Sequence, residues 1–158
     1  MHIRPSTHAD LETIVGMLTE SWGGTTVIVH GTCYDAARLP TILAERDGRI
    51  VGMLTYALDD DSLEIVTLDA LERHTGIGSA LLTTATELAR QAGAARIRLV
   101  TTNDNLDALR FYQRRGMRIT AVTPGAVDSA RTHKPGIPEI GDYGIPIHDE
   151  LTLEMHCG

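Results

Sequence analysis

Three places in the 158-residue sequence gather residue types that can do chemistry. The first is Arg73-His74-Thr75-Gly76-Ile77-Gly78. It lies between Glu64 to Ala70, a stretch rich in Ile, Val, Thr and Leu, and a run with Ile77, Leu81, Ala85 and Leu88 at helical spacing. A strand that turns through glycines into a helix lets its backbone approach a ligand closely. The helix start then aims unpaired N–H groups and a positive dipole end at that ligand, which suits a phosphate. A Walker A loop needs Lys and Ser/Thr after its last glycine, and here Ser79-Ala80 follow Gly78. A dinucleotide fingerprint needs a small residue where Leu81 stands, so that reading fails too. What remains is a pyrophosphate-type turn with an arginine at its mouth, or a tight connection that binds nothing.

The second and third places are Asp59-Asp60-Asp61 and His148-Asp149-Glu150. Adjacent aspartates before Ser62 read as a solvated turn. On a strand His148 and Glu150 share a face while Asp149 points away, so three ligands do not converge. No metal site is expected at either. Cys33 and Cys157 are the only cysteines, and without a secretory leader both are expected as free thiols.

The elements that must position these residues follow from patterning. Ile3 opens a first strand, and Thr7 with Asp10 has capping-box spacing for a helix whose stripe is Leu11, Ile14, Val15 and Leu18. Ser21-Trp22-Gly23-Gly24 breaks that helix, and Thr25 to Pro40 has no clear period, which predicts an irregular or short-helical segment. Thr41 to Arg46 and Arg49 to Leu58 are strands joined by the hairpin dipeptide Asp47-Gly48. Glu64 to Ala70 is a fourth strand, followed by a helix ending near Gly93 and a fifth strand from Arg96 to Thr102. Asn105 opens a further helix that closes with Arg114-Arg115 and Gly116. Met117 to Val122 and Ile147 to Met155 are the sixth and seventh strands. Between them Thr123 to Pro146 holds four prolines and four glycines, a long excursion of the kind that is functional or mobile.

Composition narrows the class. Hydrophobic residues at 42% and charged residues at 22% are ordinary for a soluble globular protein, and the length suits one domain, residues 1–158. No apolar run is long enough to cross a membrane, and Met1-His2-Ile3-Arg4-Pro5 begins a strand, so a cytoplasmic protein is expected. A net charge of −7 with no basic stripe argues against nucleic acid and is compatible with a cationic amine as partner.

Arg73-x-x-Gly76-x-Gly78, between a strand and a long helix, resembles the acetyl-CoA pyrophosphate motif of the GNAT superfamily of N-acetyltransferases. Further on, Asn105-x-x-Ala108-x-x-Phe111-Tyr112-x-x-x-Gly116-Met117 resembles the superfamily's second motif, and the order β-α-β-β-β-α-β-α-β-β is that of its fold. The resemblance implies an α/β (α+β) fold. Its sheet would be mixed, mostly antiparallel and seven-stranded, with fourth and fifth strands splayed and helices on both faces. It implies acetyl-CoA as cosubstrate and direct transfer, in a ternary complex, to an amine-bearing acceptor, here expected to be a small molecule. A non-catalytic acetyl-CoA sensor is the alternative, and a monomer or homodimer is expected.

Carried onto this sequence, the backbone of Leu68 and Ala70 would hold the pantetheine, with the Leu68 N–H facing the oxyanion. Arg73, His74, Thr75, Gly76, Ile77, Gly78 and Ser79 would hold the pyrophosphate. Asn105 would bond the cofactor, or serve only as a helix N-cap. Tyr112 matches the tyrosine near the acetyl-CoA sulfur and would act as general acid, its alternative being a core tyrosine. Glu64, in Glu-Ile-Val, matches the general base of some histone acetyltransferases in the superfamily. Its alternatives are positioning a cationic substrate, or a surface charge with ordered water as base. A carboxylate there would be raised by partial burial. Trp22 and Tyr34 fall in the segment that forms an acceptor wall in the superfamily, where packing would account for them equally well.

Overall fold

Strand-forming runs that alternate or stay apolar, each punctuated by turn residues, set the architecture. The computed structural model describes residues 1–72 and 75–157. Within them lie β1 (His2–Pro5), α1 (Leu11–Trp22), β2 (Thr26–Val29), β3 (Thr32–Asp35), β4 (Thr41–Arg46), β5 (Arg49–Leu58) and β6 (Ser62–Ala70). After these come α2 (Ile77–Gln91), β7 (Arg96–Thr102), α3 (Leu106–Arg114), β8 (Arg118–Thr123), α4 (Ala126–Ala130) and β9 (Glu150–His156). A seven-stranded, mostly antiparallel sheet has the order β1-β4-β5-β6-β7-β9-β8, and β2 and β3 form a separate two-stranded ribbon. The expected mixed fold class is therefore observed. The chain divides into two compact units, one built from Met1–Val27, Cys33–Ile97 and the C-terminal end from His156, the other from Ile28–Thr32 and Arg98–Met155.

In the first unit β1 pairs with β4, β4 with β5 and β5 with β6, all antiparallel. Leu18, Leu43, Met53, Leu54, Leu63, Ile77 and Leu81 are at most 1% exposed and form its core. Gly52 on β5 lies opposite Ala70 on β6, and a Cβ at Gly52 would collide with Ile77 Cγ2 of α2. Helix and strand thus meet at a position where only a hydrogen fits. Gly52→Val should destabilise the fold by about 1–3 kcal/mol, the usual cost of overpacking, read as a lower midpoint in urea with an unchanged m-value.

The expected stripe of α1 is half right. Ile14, Met17 and Leu18 are buried, whereas Leu11 and Val15 are exposed at 42% and 36%. The helix also runs through Ser21 and ends at Trp22, rather than breaking before it. Ahead of it, His8–Asp10 is a single 3-10 turn, and Asp10 accepts hydrogen bonds from the Thr7 N–H (2.7 Å) and from Arg4 (2.8 and 2.9 Å). The bidentate Arg4 guanidinium holds the Asp10 carboxyl well below the usual carboxylate range. Thr25 to Pro40 is not irregular. Thr-Val-Ile-Val and Thr-Cys-Tyr-Asp form β2 and β3, which turn at His30 (φ 52°), and only Ala36–Arg38 is helical.

In the second unit β8 pairs antiparallel with β9, with a register shift between Ile119 and Ala121. The seventh predicted strand starts late, at Glu150. Ile147 N–H donates to Glu139 O of the preceding segment and His148 N–H to Asn103 Oδ1 in the turn after β7, so these residues bond loops rather than a neighbouring strand. That segment is tied down by side chains. Asn103 donates from Nδ2 to Pro146 O, and Asp104, 5% exposed, accepts from the Asp142 N–H. Arg131 donates to the carbonyls of Pro138 (2.6 Å) and Ile147 (2.8 Å).

Candidate active site

β6 ends at Ala70, and α2 begins at Ile77 with Gly76 as its N-cap in a left-handed conformation, φ 82°. An L side chain is strained there, and a Cβ would meet no atom of the described residues within 4 Å, so among them the space on that side is open. No acidic residue lies in the first turn of α2, and Thr75 Oγ1 donates to Glu72 O, closing the turn (3.0 Å). An open, anion-favouring helix start beyond a strand fits a pyrophosphate. Arg73 and His74, both expected at this turn, lie outside the described residues. The Ile77 side chain is 1% exposed and belongs to the core, which leaves its backbone to face a ligand.

The register of β5 and β6 defines a second feature. Met53, Thr55 and Ala57 alternate on β5 and so share a face, and their partners are Asp69, Thr67 and Glu64. Glu64 and Asp69 therefore stand on one face of β6, with Thr67 between them bonded to Thr55 (2.7 Å). Each carboxylate meets the polar tip of an aromatic residue from the segment after α1 begins to end. The Tyr34 hydroxyl donates to Glu64 Oε1 (3.2 Å), and the Trp22 indole Nε1–H to Asp69 Oδ2 (2.8 Å). Glu64 is 8% exposed, so the surface-charge alternative fails. Burial pushes the Asp69 carboxyl up, and the bonds from Trp22 and Ser21 only partly offset it. Asp69 was not among the residues the sequence singled out, although Trp22 and Tyr34 were.

In the second unit Asn105 occupies the N-cap of α3 but makes no side-chain cap bond. Its Nδ2 donates instead to Thr101 Oγ1 (3.0 Å). Tyr112 is 8% exposed and stacks edge-on against Phe111, with ring centroids 5.2 Å apart. Arg115 covers the Phe111 ring, its guanidinium carbon 3.7 Å from the centroid. His148 Nδ1 lies 3.0 Å from Asp128 Oδ1, and Asp149 accepts from the Gly125 N–H (2.9 Å), so the His-Asp-Glu run diverges. Asp59 closes its turn by accepting from the Asp61 and Ser62 N–H groups. Cys33 and Cys157 are free thiols, the first exposed and the second buried. Among the described residues no helix is long and apolar enough to cross a membrane.

A glycine-capped helix start beyond the middle strand of a seven-stranded sheet is a place where an anionic ligand can meet backbone N–H groups. Residues 11–117 match the family model described as the Acetyltransferase (GNAT) family. Over 97% of both chains this sequence is 38% identical to the protein YxbD of Bacillus subtilis (strain 168). Its fold matches that of an IAA acetyltransferase from Bacillus cereus ATCC 14579 with a TM-score of 0.76, at 22% identity over 98% of each chain. It also matches a GNAT family acetyltransferase from Elizabethkingia anophelis with acetyl-CoA bound, with a TM-score of 0.69, at 23% identity over 98% of this chain and 97% of that one. The chain belongs to the GNAT acetyltransferase family, for which acetyl-CoA is the cosubstrate.

Proposed function

We propose that the chain is an N-acetyltransferase of a single domain that moves the acetyl group of acetyl-CoA directly to an amine of a small, cationic molecule in the cytoplasm. The observation that carries this reading is the open, left-handed Gly76 start of α2 directly beyond β6. Acetyl-CoA supplies an activated thioester when bound. The backbone of Leu68 and Ala70 holds the pantetheine arm, and the Leu68 N–H holds the acetyl carbonyl oxygen. The turn from Arg73 through His74, Thr75, Gly76, Ile77 and Gly78 to Ser79 binds the pyrophosphate, and Asn105 adds a cofactor contact. Glu64, or an ordered water, takes the proton from the incoming amine. Tyr112 gives its proton to the departing sulfur, so that an N–C bond forms, the C–S bond breaks and a free thiol leaves.

Burial of Glu64 beside a tyrosine hydroxyl, on the face of β6 that it shares with Thr67 and Asp69, supports the base role over a solvated one. The Glu64 carboxylate also suits an ammonium-bearing acceptor, in line with a net charge of −7. The reading is tested by thiol release from acetyl-CoA against primary amines, including diamines, amino sugars and amino acids. Amine-dependent turnover is expected. Acetyl-CoA binding without turnover on any of them would favour a sensor instead.

A further inference from the structure

A buried carboxylate is expensive unless a cation or several donors meet it, and structural carboxylates in folded proteins are usually paired. Asp10 follows that rule, with Arg4 clamped on it. Asp69 does not. Half-buried near the end of β6, it takes its bonds from two neutral donors, the Trp22 indole and the Ser21 hydroxyl. These donors stand 47 and 48 residues away in the chain, so the contact is a tertiary one that pins the last turn of α1 to β6. It does so beside Leu68 and Ala70, whose backbone the reading above gives to the cosubstrate. Glu64 shares the face and is met in the same way by Tyr34.

We propose that Asp69 is a positioning residue for the transfer: ionised, it holds the Trp22 indole, and with it the C-terminal turn of α1, on the Glu64–Thr67–Asp69 face of β6, fixing the acceptor side of the site. This rests on the acetyl-transfer reading. Among the described residues the groups that face Asp69 are few. From α1 come the Trp22 indole and the Ser21 hydroxyl, from β5 the uncharged Met53 opposite it, and on β6 itself Glu64, whose carboxylate is bonded to Tyr34 of β3. Among the described residues none of the effects acting on the Asp69 carboxyl comes from a charged side chain, and burial is the largest. Its proton is therefore held more tightly in the folded chain than in the unfolded one. By linkage, stability falls as pH rises through the interval between those two values, and the deficit persists at pH 7. Asp69 costs the fold stability at neutral pH, which a residue kept only for structure does not do.

Trp22 is the only tryptophan in the chain, so the indole emission comes from the partner of Asp69. In the whole protein, over the pH range where far-UV circular dichroism stays constant, the emission should titrate with a single inflection above the ordinary aspartate value of about 3.9. Asp69→Asn should abolish that inflection and Glu64→Gln should leave it. Asp69→Asn should also keep its thermal midpoint at pH 7 at or above that of the unaltered protein. With any amine that is turned over, Asp69→Asn and Trp22→Phe should each raise the acceptor KM about 10-fold and leave the acetyl-CoA KM within about twofold, with the double variant no worse than either. An inflection that survives Asp69→Asn, a clear drop in its midpoint, or an unchanged acceptor KM would each overturn the proposal. The emission and midpoint arms need no substrate, so failure of the acetyl-transfer reading leaves them decisive.

Discussion

Tyr112→Phe is expected to lower kcat by about 10- to 1000-fold at saturating acetyl-CoA while leaving the fold in place. The substitution keeps the ring, its 5.2 Å edge contact with Phe111 and its burial at 8% exposure. It removes one hydroxyl, at a folding cost of about 1 kcal/mol. Chemically, a tyrosine with a pKa near 10 protonating a thiolate whose conjugate acid lies near 8.5 works uphill by about 2 kcal/mol, small against an acyl-transfer barrier. A hydrogen bond to the departing sulfur, made by the same hydroxyl, would be lost too. The measurement is kcat under conditions where chemistry limits the rate, with a thermal melt alongside. An unchanged kcat there removes Tyr112 from the mechanism and leaves it as a core residue of α3.

Gly76→Val is expected to weaken acetyl-CoA binding by about 100-fold, or about 2.7 kcal/mol, without unfolding the protein. A β-branched residue at φ 82° is strained by about 1–3 kcal/mol, and the turn must shift to relieve it. Because a Cβ at this position meets no atom of the described residues within 4 Å, the loss would come from the turn and the space in front of α2, not from the core. Gly52→Val makes the contrast: it strikes Ile77, and its penalty falls on stability.

The strands with unambiguous hairpin punctuation were legible in full. Thr41–Arg46 and Arg49–Leu58 have the predicted ends, because Asp47-Gly48 fixes the turn, although the pairing shifts register between Ala44 and Glu45. The paired carboxylate face was not legible. Glu64 and Asp69 are five residues apart, which on a regular strand puts them on opposite faces. A register shift opposite Thr55 and Tyr56 leaves Val66 without a partner and turns Glu64 to the side of Thr67 and Asp69. Nothing in the local sequence announces that bulge. The ribbon of β2 and β3 escaped for a different reason, since strands of four residues give periodicity too little length to register. The excursion from Thr123 to Pro146 looked unstructured because its order comes from side chains, Asn103 and Asp104 from far along the chain and Arg131 from within it, that bond its carbonyls and N–H groups. The glycine turn and its helix were readable because a backbone requirement fixes residue type directly.

The central claim is that the β6–Gly76–α2 turn holds acetyl-CoA. Calorimetric titration of acetyl-CoA into the protein tests it most directly, with Gly76→Val titrated in parallel. One acetyl-CoA should bind per chain, with the affinity falling about 100-fold in the variant while its circular dichroism is unchanged. No heat of binding to the unaltered protein at millimolar acetyl-CoA, or equal affinity in the folded variant, would contradict the account.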